Sequence, residues 1–137
     1  MPRKAVVGSR LRVVAGILID SEGCVLLAER VHDHPFAGLW EFPGGKIDAA
    51  ETPIEALRRE LFEELSVEIV AFERFLTVEH DYADRRVEID FFRVTEWRNE
   101  PRPLLNQRLR WVHMDALVAD ELLPANVAVV EALHRAM

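Results

Sequence analysis

The chain has 137 residues, half of them hydrophobic, with 24 acidic against 17 basic side chains and a formal net charge of −7. That length suits one domain around one core, and the mixing of apolar with charged residues excludes a disordered chain. The acidic balance argues against a partner that grips a nucleic-acid backbone, but it leaves open a nucleotide carried as a metal complex, because carboxylates hold the metal.

Residues 1–12 are basic, without the apolar core or cleavage pattern of a signal peptide, and no apolar stretch has the length of a membrane span. Residues 13–19 are apolar and β-branched, which predicts a buried strand. Asp20-Ser21-Glu22-Gly23 reads as a turn, and residues 24–28 resume the strand, so a hairpin is expected. Cys24 is the single cysteine. It lies in that apolar run, where a packing role is expected, and a cytoplasmic or otherwise reducing setting fits. Residues 31–38 read as a loop. Residues 39–42 form a short apolar piece that is expected to stop at Pro43-Gly44-Gly45.

Thr52 through Leu65 carries the strongest helix signal. Thr52 is a capping residue, Pro53 suits the first helical position, Glu55 completes a capping box, and Ile54, Leu57, Leu61 and Leu65 form an apolar stripe. Residues 68–78 read as strand, 81–84 as a turn, 87–94 as strand, 97–107 as a loop, and 109–112 as a short strand. Residues 115–118 suit one helical turn. Asn126 is expected to cap a last helix over 127–134. Helices distributed around a mixed sheet predict an α/β/α sandwich. The glycine fingerprints of doubly wound and P-loop nucleotide binders are absent.

Glu60, Glu63 and Glu64 are spaced three and four apart, so they share one side of the helix at the edge of its leucine stripe. Most glutamate-rich helices simply face water. Here Gly44-Gly45 allow a tight backbone approach just before the helix, Glu51 precedes it, and Arg59 adjoins the cluster as a bidentate partner for a carboxylate. Without a cation the cluster would oppose the helix, and its hard oxygen donors suit Mg2+.

The block GGKIDAAETPIEALRRELFEELSV, from Gly44 to Val67, resembles the Nudix box at Gly45, Glu51, Arg59, Glu60, Leu61, Glu63, Glu64 and Val67. Ser66 stands where the pattern has glycine, with a modest backbone cost expected, and Ala50 replaces a less strict glycine. The resemblance implies a single Nudix domain over residues 1–137 with its box near 45–67, and a mixed sheet between helices. It implies Mg2+ as cofactor, with Mn2+ able to substitute. Glu60 and Glu64 would be the principal metal ligands, Glu63 a further ligand or water-positioning group, and the Gly44 carbonyl part of the shell. Glu51 and Arg59 would orient loop and helix.

Trp40-Glu41-Phe42-Pro43-Gly44-Gly45-Lys46-Ile47 and Leu123-Pro124-Ala125-Asn126 are similar to segments of the MutT branch, whose members hydrolyse oxidised guanine nucleotides. The resemblance implies hydrolysis of 8-oxo-dGTP to 8-oxo-dGMP and pyrophosphate. Asn126 would then read the base edge, the alternative being a helix cap alone. Arg30, Phe42, Tyr82, Asp84 and Arg85 match substrate-contacting positions, each with a plain surface or core reading beside it. Leu105 falls where relatives carry a further glutamate: either the register is shifted, or Asp90, Glu100 or water supplies that role, or the rate is low. The expected partner is a free nucleoside triphosphate and not a nucleic-acid polymer or a membrane, with the chain a monomer or weak homodimer. CTP, methylated dCTP or a broad range of nucleotides are alternative substrates, and a non-catalytic nucleotide-binding Nudix domain is the rival from another class.

Overall fold

The computed structural model describes residues 10–30, 37–83 and 85–136. In chain order these form β1 (Arg10–Leu18), β2 (Cys24–Glu29), β3 (Trp40–Glu41), β4 (Gly44–Lys46), α1 (Pro53–Leu65), β5 (Glu68–Tyr82), β6 (Arg85–Arg98), β7 (Leu109–His113), three 3-10 turns (Met114–Ala116, Ala119–Glu121 and Pro124–Asn126) and α2 (Val127–Ala136). A four-stranded mixed sheet has the order β4-β1-β6-β5, and a three-stranded sheet has the order β3-β2-β7. Among the described strands only the β1–β6 pair is parallel; it runs in register from Arg10↔Arg86 to Leu18↔Val94.

The two helices cover opposite sides of these sheets, and the strand pleat sorts the side chains between them. Val14 and Leu18 of β1, Leu26 of β2, and Phe92 and Val94 of β6 pack with Ala56, Leu57, Leu61 and Leu65 of α1. Their neighbours Ala15, Ile17, Val25, Leu27, Ile89 and Phe91 pack with Val129, Val130 and Leu133 of α2. Burial on both faces explains why β1 and β2 read as continuous apolar runs. The layers are those of an α/β/α sandwich, as the sequence predicts.

Three expectations are corrected. β1 and β2 do not form a hairpin ladder. A single bridge, Ile19↔Val25, joins them beyond the turn, and the strands then diverge into different sheets. β1 takes β6 and β4 as neighbours because a strand buried on both faces needs both edges paired. Secondly, Gly44-Gly45 do not end regular structure: they begin β4, paired antiparallel with β1 through Val14↔Gly45 and Ala15↔Gly44. Proline at position 43 supplies no N–H, but its carbonyl accepts from Gly16 at 2.8 Å. Thirdly, β5 and β6 extend to Tyr82 and from Arg85, so the expected turn over 81–84 shrinks to the hairpin tip. Of the predicted loop over 31–38, residues 31–36 lie outside the described residues.

Candidate active site on the carboxylate helix

The start of α1 is fixed by its capping box. The Thr52 hydroxyl accepts from Glu55 N–H at 3.3 Å, and the Glu55 carboxylate accepts from Thr52 N–H at 2.9 Å. Its end is fixed by Ser66, left-handed at φ 64°, whose N–H bonds to the carbonyls of Leu61 and Phe62. Serine therefore occupies the conformation that the family glycine would adopt without Cβ strain.

Between these caps Arg59 organises the acids. Its Nε and Nη2 grip both oxygens of Glu51 at 2.7 and 2.9 Å, a bidentate pair. Nη1 reaches Glu60 at 2.8 Å and Glu63 at 3.5 Å, and Nη2 also donates to the Lys46 carbonyl at 3.1 Å. Hydrogen bonding from Arg59, and then from Asp48 N–H, holds the Glu51 carboxyl down at about 2. Hydrogen bonds donated to Glu51 and Glu60 raise the guanidinium's own pKa further. Glu64 has the opposite fate. Burial first, then hydrogen bonding and charge from Glu60, with added charge from Glu41 and Glu63, push its carboxyl up to about 9. Glu64 is therefore protonated near neutrality when no cation stands beside it.

β4 runs directly against this cluster. A Cβ on Gly45 would lie 2.4 Å from the carboxyl carbon of Glu60, and one on Gly44 would lie 2.0 Å from the Val14 carbonyl oxygen. Only glycine permits both approaches.

A cavity of about 760 Å3 opens beside β4, in the size range of ligand pockets. Of the residues expected at the site, Gly44, Glu64, Arg30, Phe42, Tyr82, Arg85 and Asn126 line it. Glu51, Arg59, Glu60 and Glu63 form the adjoining charged flank. Asp84 lies outside the described residues. Phe42 is also a core residue, edge-on to Phe91 with centroids 6.2 Å apart. Arg30 pairs with Glu41 at 2.9 Å.

Asn126 is not a helix cap. It lies in the 3-10 turn before α2, 4% exposed, and its side-chain oxygen accepts from Phe42 N–H at 3.0 Å. The preceding turn continues into α2 with helical backbone, so no cap position falls at 126. Among the described residues the Asn126 amide nitrogen has no protein acceptor, and the residue contributes to the cavity wall. Leu105 also lines the cavity. Asp90 is committed elsewhere, accepting from the Thr77 hydroxyl at 2.7 Å and pairing with Arg74 at 3.0 Å, and neither Asp90 nor Glu100 lines the cavity.

Lining residues outside the expected site set include Glu41 and Gln107. Glu41 adds to the negative field at Glu64. Gln107, 5% exposed, accepts from Leu105 N–H at 2.9 Å and donates to the Glu64 carbonyl at 3.4 Å, tying the 99–108 loop to the end of α1. Glu41 adjoins the apolar Trp40 and Phe42 in sequence, but nothing local marks Gln107.

The donor set fits Mg2+: hard carboxylates with one member crowded into its neutral form, beside a glycine strand no Cβ could replace. Among the described residues no three acidic, histidine or cysteine side chains already converge on a coordination point. Mg2+ does not need them to, since it keeps waters and takes substrate phosphates as ligands.

A NUDIX-domain model matches residues 9–133, and the chain belongs to the NUDIX family of Mg2+-dependent phosphoanhydride hydrolases. Its similarity runs to the MutT-like branch. An 8-oxo-dGTP diphosphatase of Haemophilus influenzae is 37% identical over 123 residues, covering 90% of each chain. A solved MutT structure, from a study of the Aliivibrio salmonicida and Vibrio cholerae proteins, superposes with TM-score 0.78 at 32% identity, over 93% of this chain and 99% of that one. A CTP pyrophosphohydrolase of Escherichia coli is 33% identical, over 89% of this chain and 90% of that one.

Proposed function

We propose that this chain is a Mg2+-dependent nucleoside triphosphate pyrophosphohydrolase that converts 8-oxo-dGTP to 8-oxo-dGMP and pyrophosphate, sanitising the nucleotide pool. The observation that carries this reading is that the buried Asn126 amide and the Glu64 carboxyl line one cavity. An amide and an acidic metal site then face the two ends of one nucleotide.

In this reading Glu60, Glu63, Glu64 and the Gly44 carbonyl hold the metal. Bound Mg2+ supplies charge neutralisation at the phosphates and a more acidic water. Arg59, locked by Glu51, holds the Glu60 carboxylate in place beside β4, where it would serve as a ligand. Arg30 and Arg85 face the anionic substrate with cations, Phe42 and Tyr82 offer ring surface to the base, and Asn126 directs its N–H at a base acceptor. By family resemblance water attacks the β-phosphorus. The bond from that phosphorus to the α–β bridging oxygen breaks, the monophosphate leaves with the bridging oxygen, and pyrophosphate gains the water oxygen.

The same reading has a single NUDIX domain working in the cytoplasm on free nucleotides as a monomer or weak homodimer. Among the described residues no helix is long and apolar enough to cross a membrane, and the single cysteine suits a reducing compartment.

A panel of kcat/KM values tests the proposal, using 8-oxo-dGTP, dGTP, CTP and methylated dCTP with Mg2+. A preference for 8-oxo-dGTP over dGTP of about 100-fold, or about 2.7 kcal/mol, that shrinks in Asn126→Ala supports it. Equal rates across bases would refute the oxidised-guanine assignment. Activity that survives Glu60→Gln unchanged would refute the metal helix. The second reading, a CTP pyrophosphohydrolase, is favoured by the similarity over nearly all of both chains to the Escherichia coli enzyme. A panel led by CTP selects it.

A further inference from the structure

Tyr82 ends β5 at the tip of the β5–β6 hairpin, and its hydroxyl accepts a hydrogen bond from Ala125 N–H at 3.2 Å. The donor belongs to the turn Pro124–Asn126 that leads into α2. The other backbone donors of that turn are satisfied nearby. Leu123 N–H bonds the Trp40 carbonyl at 3.0 Å and Asn126 N–H bonds the Leu123 carbonyl at 2.8 Å. Val127 N–H bonds the Pro124 carbonyl, and Pro124 has no N–H to place. Ala125 N–H stands in the first turn, where helical geometry offers no backbone acceptor. Ala125 is 2% exposed, so without the phenol a buried donor would lose its partner.

The next residue is Asn126, held from its other side by Phe42 N–H on its side-chain oxygen. The amide is thus suspended between an anchor on the segment joining β3 to β4 and an anchor on the hairpin tip. Tyr82 also lines the cavity, so one residue both borders the site and, through its hydroxyl, bonds the turn that carries Asn126.

We propose that Tyr82 is a specificity-positioning residue, whose hydroxyl latches the β5–β6 hairpin tip to the 124–126 turn and so sets the Asn126 amide toward the nucleobase. The inference rests on Asn126 as the base-reading group, but its first readout needs no nucleotide. Tyr82→Phe keeps the ring and removes the hydroxyl that accepts from Ala125 N–H. Amide exchange followed by NMR should show Ala125 N–H exchanging about 3- to 10-fold faster in Tyr82→Phe, the equivalent of one lost hydrogen bond. The 8-oxo-dGTP to dGTP ratio of kcat/KM should fall by a similar factor, more through KM than through kcat.

Unchanged exchange at Ala125 overturns the latch. Faster exchange with an unchanged ratio overturns the positioning role. If the wild-type protein does not distinguish the two guanine nucleotides, the oxidised-guanine reading fails by itself. The latch is then decided by the KM of whichever nucleotide the panel selects: a rise in Tyr82→Phe supports it and an unchanged KM refutes it.

Discussion

Replacing Glu64 by glutamine should make the metal-free protein more stable while removing its activity. Glu64 is largely buried, faces Glu60, Glu41 and Glu63, and has its carboxyl pushed up to about 9 from 4.5. Below pH 4.5 the group is protonated in folded and unfolded chains alike and contributes nothing to the pH dependence. As pH rises from 4.5 toward 9, the unfolded chain releases the proton and the folded chain keeps it, so stability falls over that window. At pH 7 the interval is about 2.5 units at about 1.4 kcal/mol each, or about 3 kcal/mol. Solvent reaching the side chain through the cavity lowers this to about 2 kcal/mol. Glutamine has the same shape and no proton to lose, so urea unfolding in EDTA should find Glu64→Gln about 2 kcal/mol more stable at pH 7. That is a Tm higher by about 6 °C for a chain of this size. The advantage should disappear near pH 4.5. Mg2+ should stabilise wild type, increasingly as pH rises because it displaces the proton, and should stabilise the variant much less. Turnover should fall about 100- to 1,000-fold. A variant less stable than wild type in EDTA at pH 7, or a stability difference that does not change between pH 5 and 8, would show that Glu64 is ionised in the metal-free fold and would refute the reasoning.

The two box glycines should fail in different ways. In Gly45→Ala the atoms nearest the new Cβ are those of the Glu60 carboxylate, the end of a flexible side chain, so unfolding free energy should change by about 1 kcal/mol or less while Mg2+-dependent turnover drops about 100-fold. In Gly44→Ala the Cβ meets the Val14 backbone, so urea unfolding should show a loss of about 3 kcal/mol or more. Glu51, held at about 2 by Arg59 and Asp48, contributes stability that is present above pH 4.5 and is lost as pH falls through 2. The stability gap between wild type and Glu51→Gln should therefore close across that window in acid-unfolding curves, and a constant gap would count against the bidentate pair. Ser66→Gly should raise stability by about 0.5–1 kcal/mol by relieving the left-handed serine, measured by urea midpoint; a loss would mean that serine's smaller unfolded-state entropy outweighs the strain.

What was legible in the sequence is what is decided locally. The capping box at Thr52 and Glu55, the leucine stripe of α1 and the clustering of Glu60, Glu63 and Glu64 depend on residues within one or two helical turns of each other, and the chain order shows them. Strand partners depend on other parts of the chain. The turn at Asp20 to Gly23 suggests a β1–β2 hairpin, yet β1 gains nine paired positions from β6, over seventy residues away, and no local signal competes with that. β4 was missed for a related reason. Glycines read as breakers because they weaken a strand in isolation, but here a neighbouring backbone and a glutamate carboxyl occupy the space a side chain would need. The cap expected at Asn126 does not form because its oxygen goes to Phe42 N–H, 84 positions away, and Gln107 enters through contacts to Glu64 that exist only after folding.

The charge arrangement of the box explains why these parts occur as a unit. Among the described residues Arg59 is the single cation bonded to the α1 acids. It spends both oxygens of Glu51 and one of Glu60, while Glu63 is 59% exposed and draws on solvent. Glu64 receives nothing from it and is left facing Glu60 and Glu41 inside the protein. A second fixed arginine at that point would neutralise the cluster permanently and block the cavity wall that Glu64 forms. In the proposed reading, leaving the position to a proton in the free protein keeps the site exchangeable: Glu64 would give up that proton and, with Glu60, would be drawn toward a divalent ion beside the Gly44 backbone and the cavity. The expected cost is a fold less stable at neutral pH than its glutamine variant, which is what the urea comparison in EDTA measures.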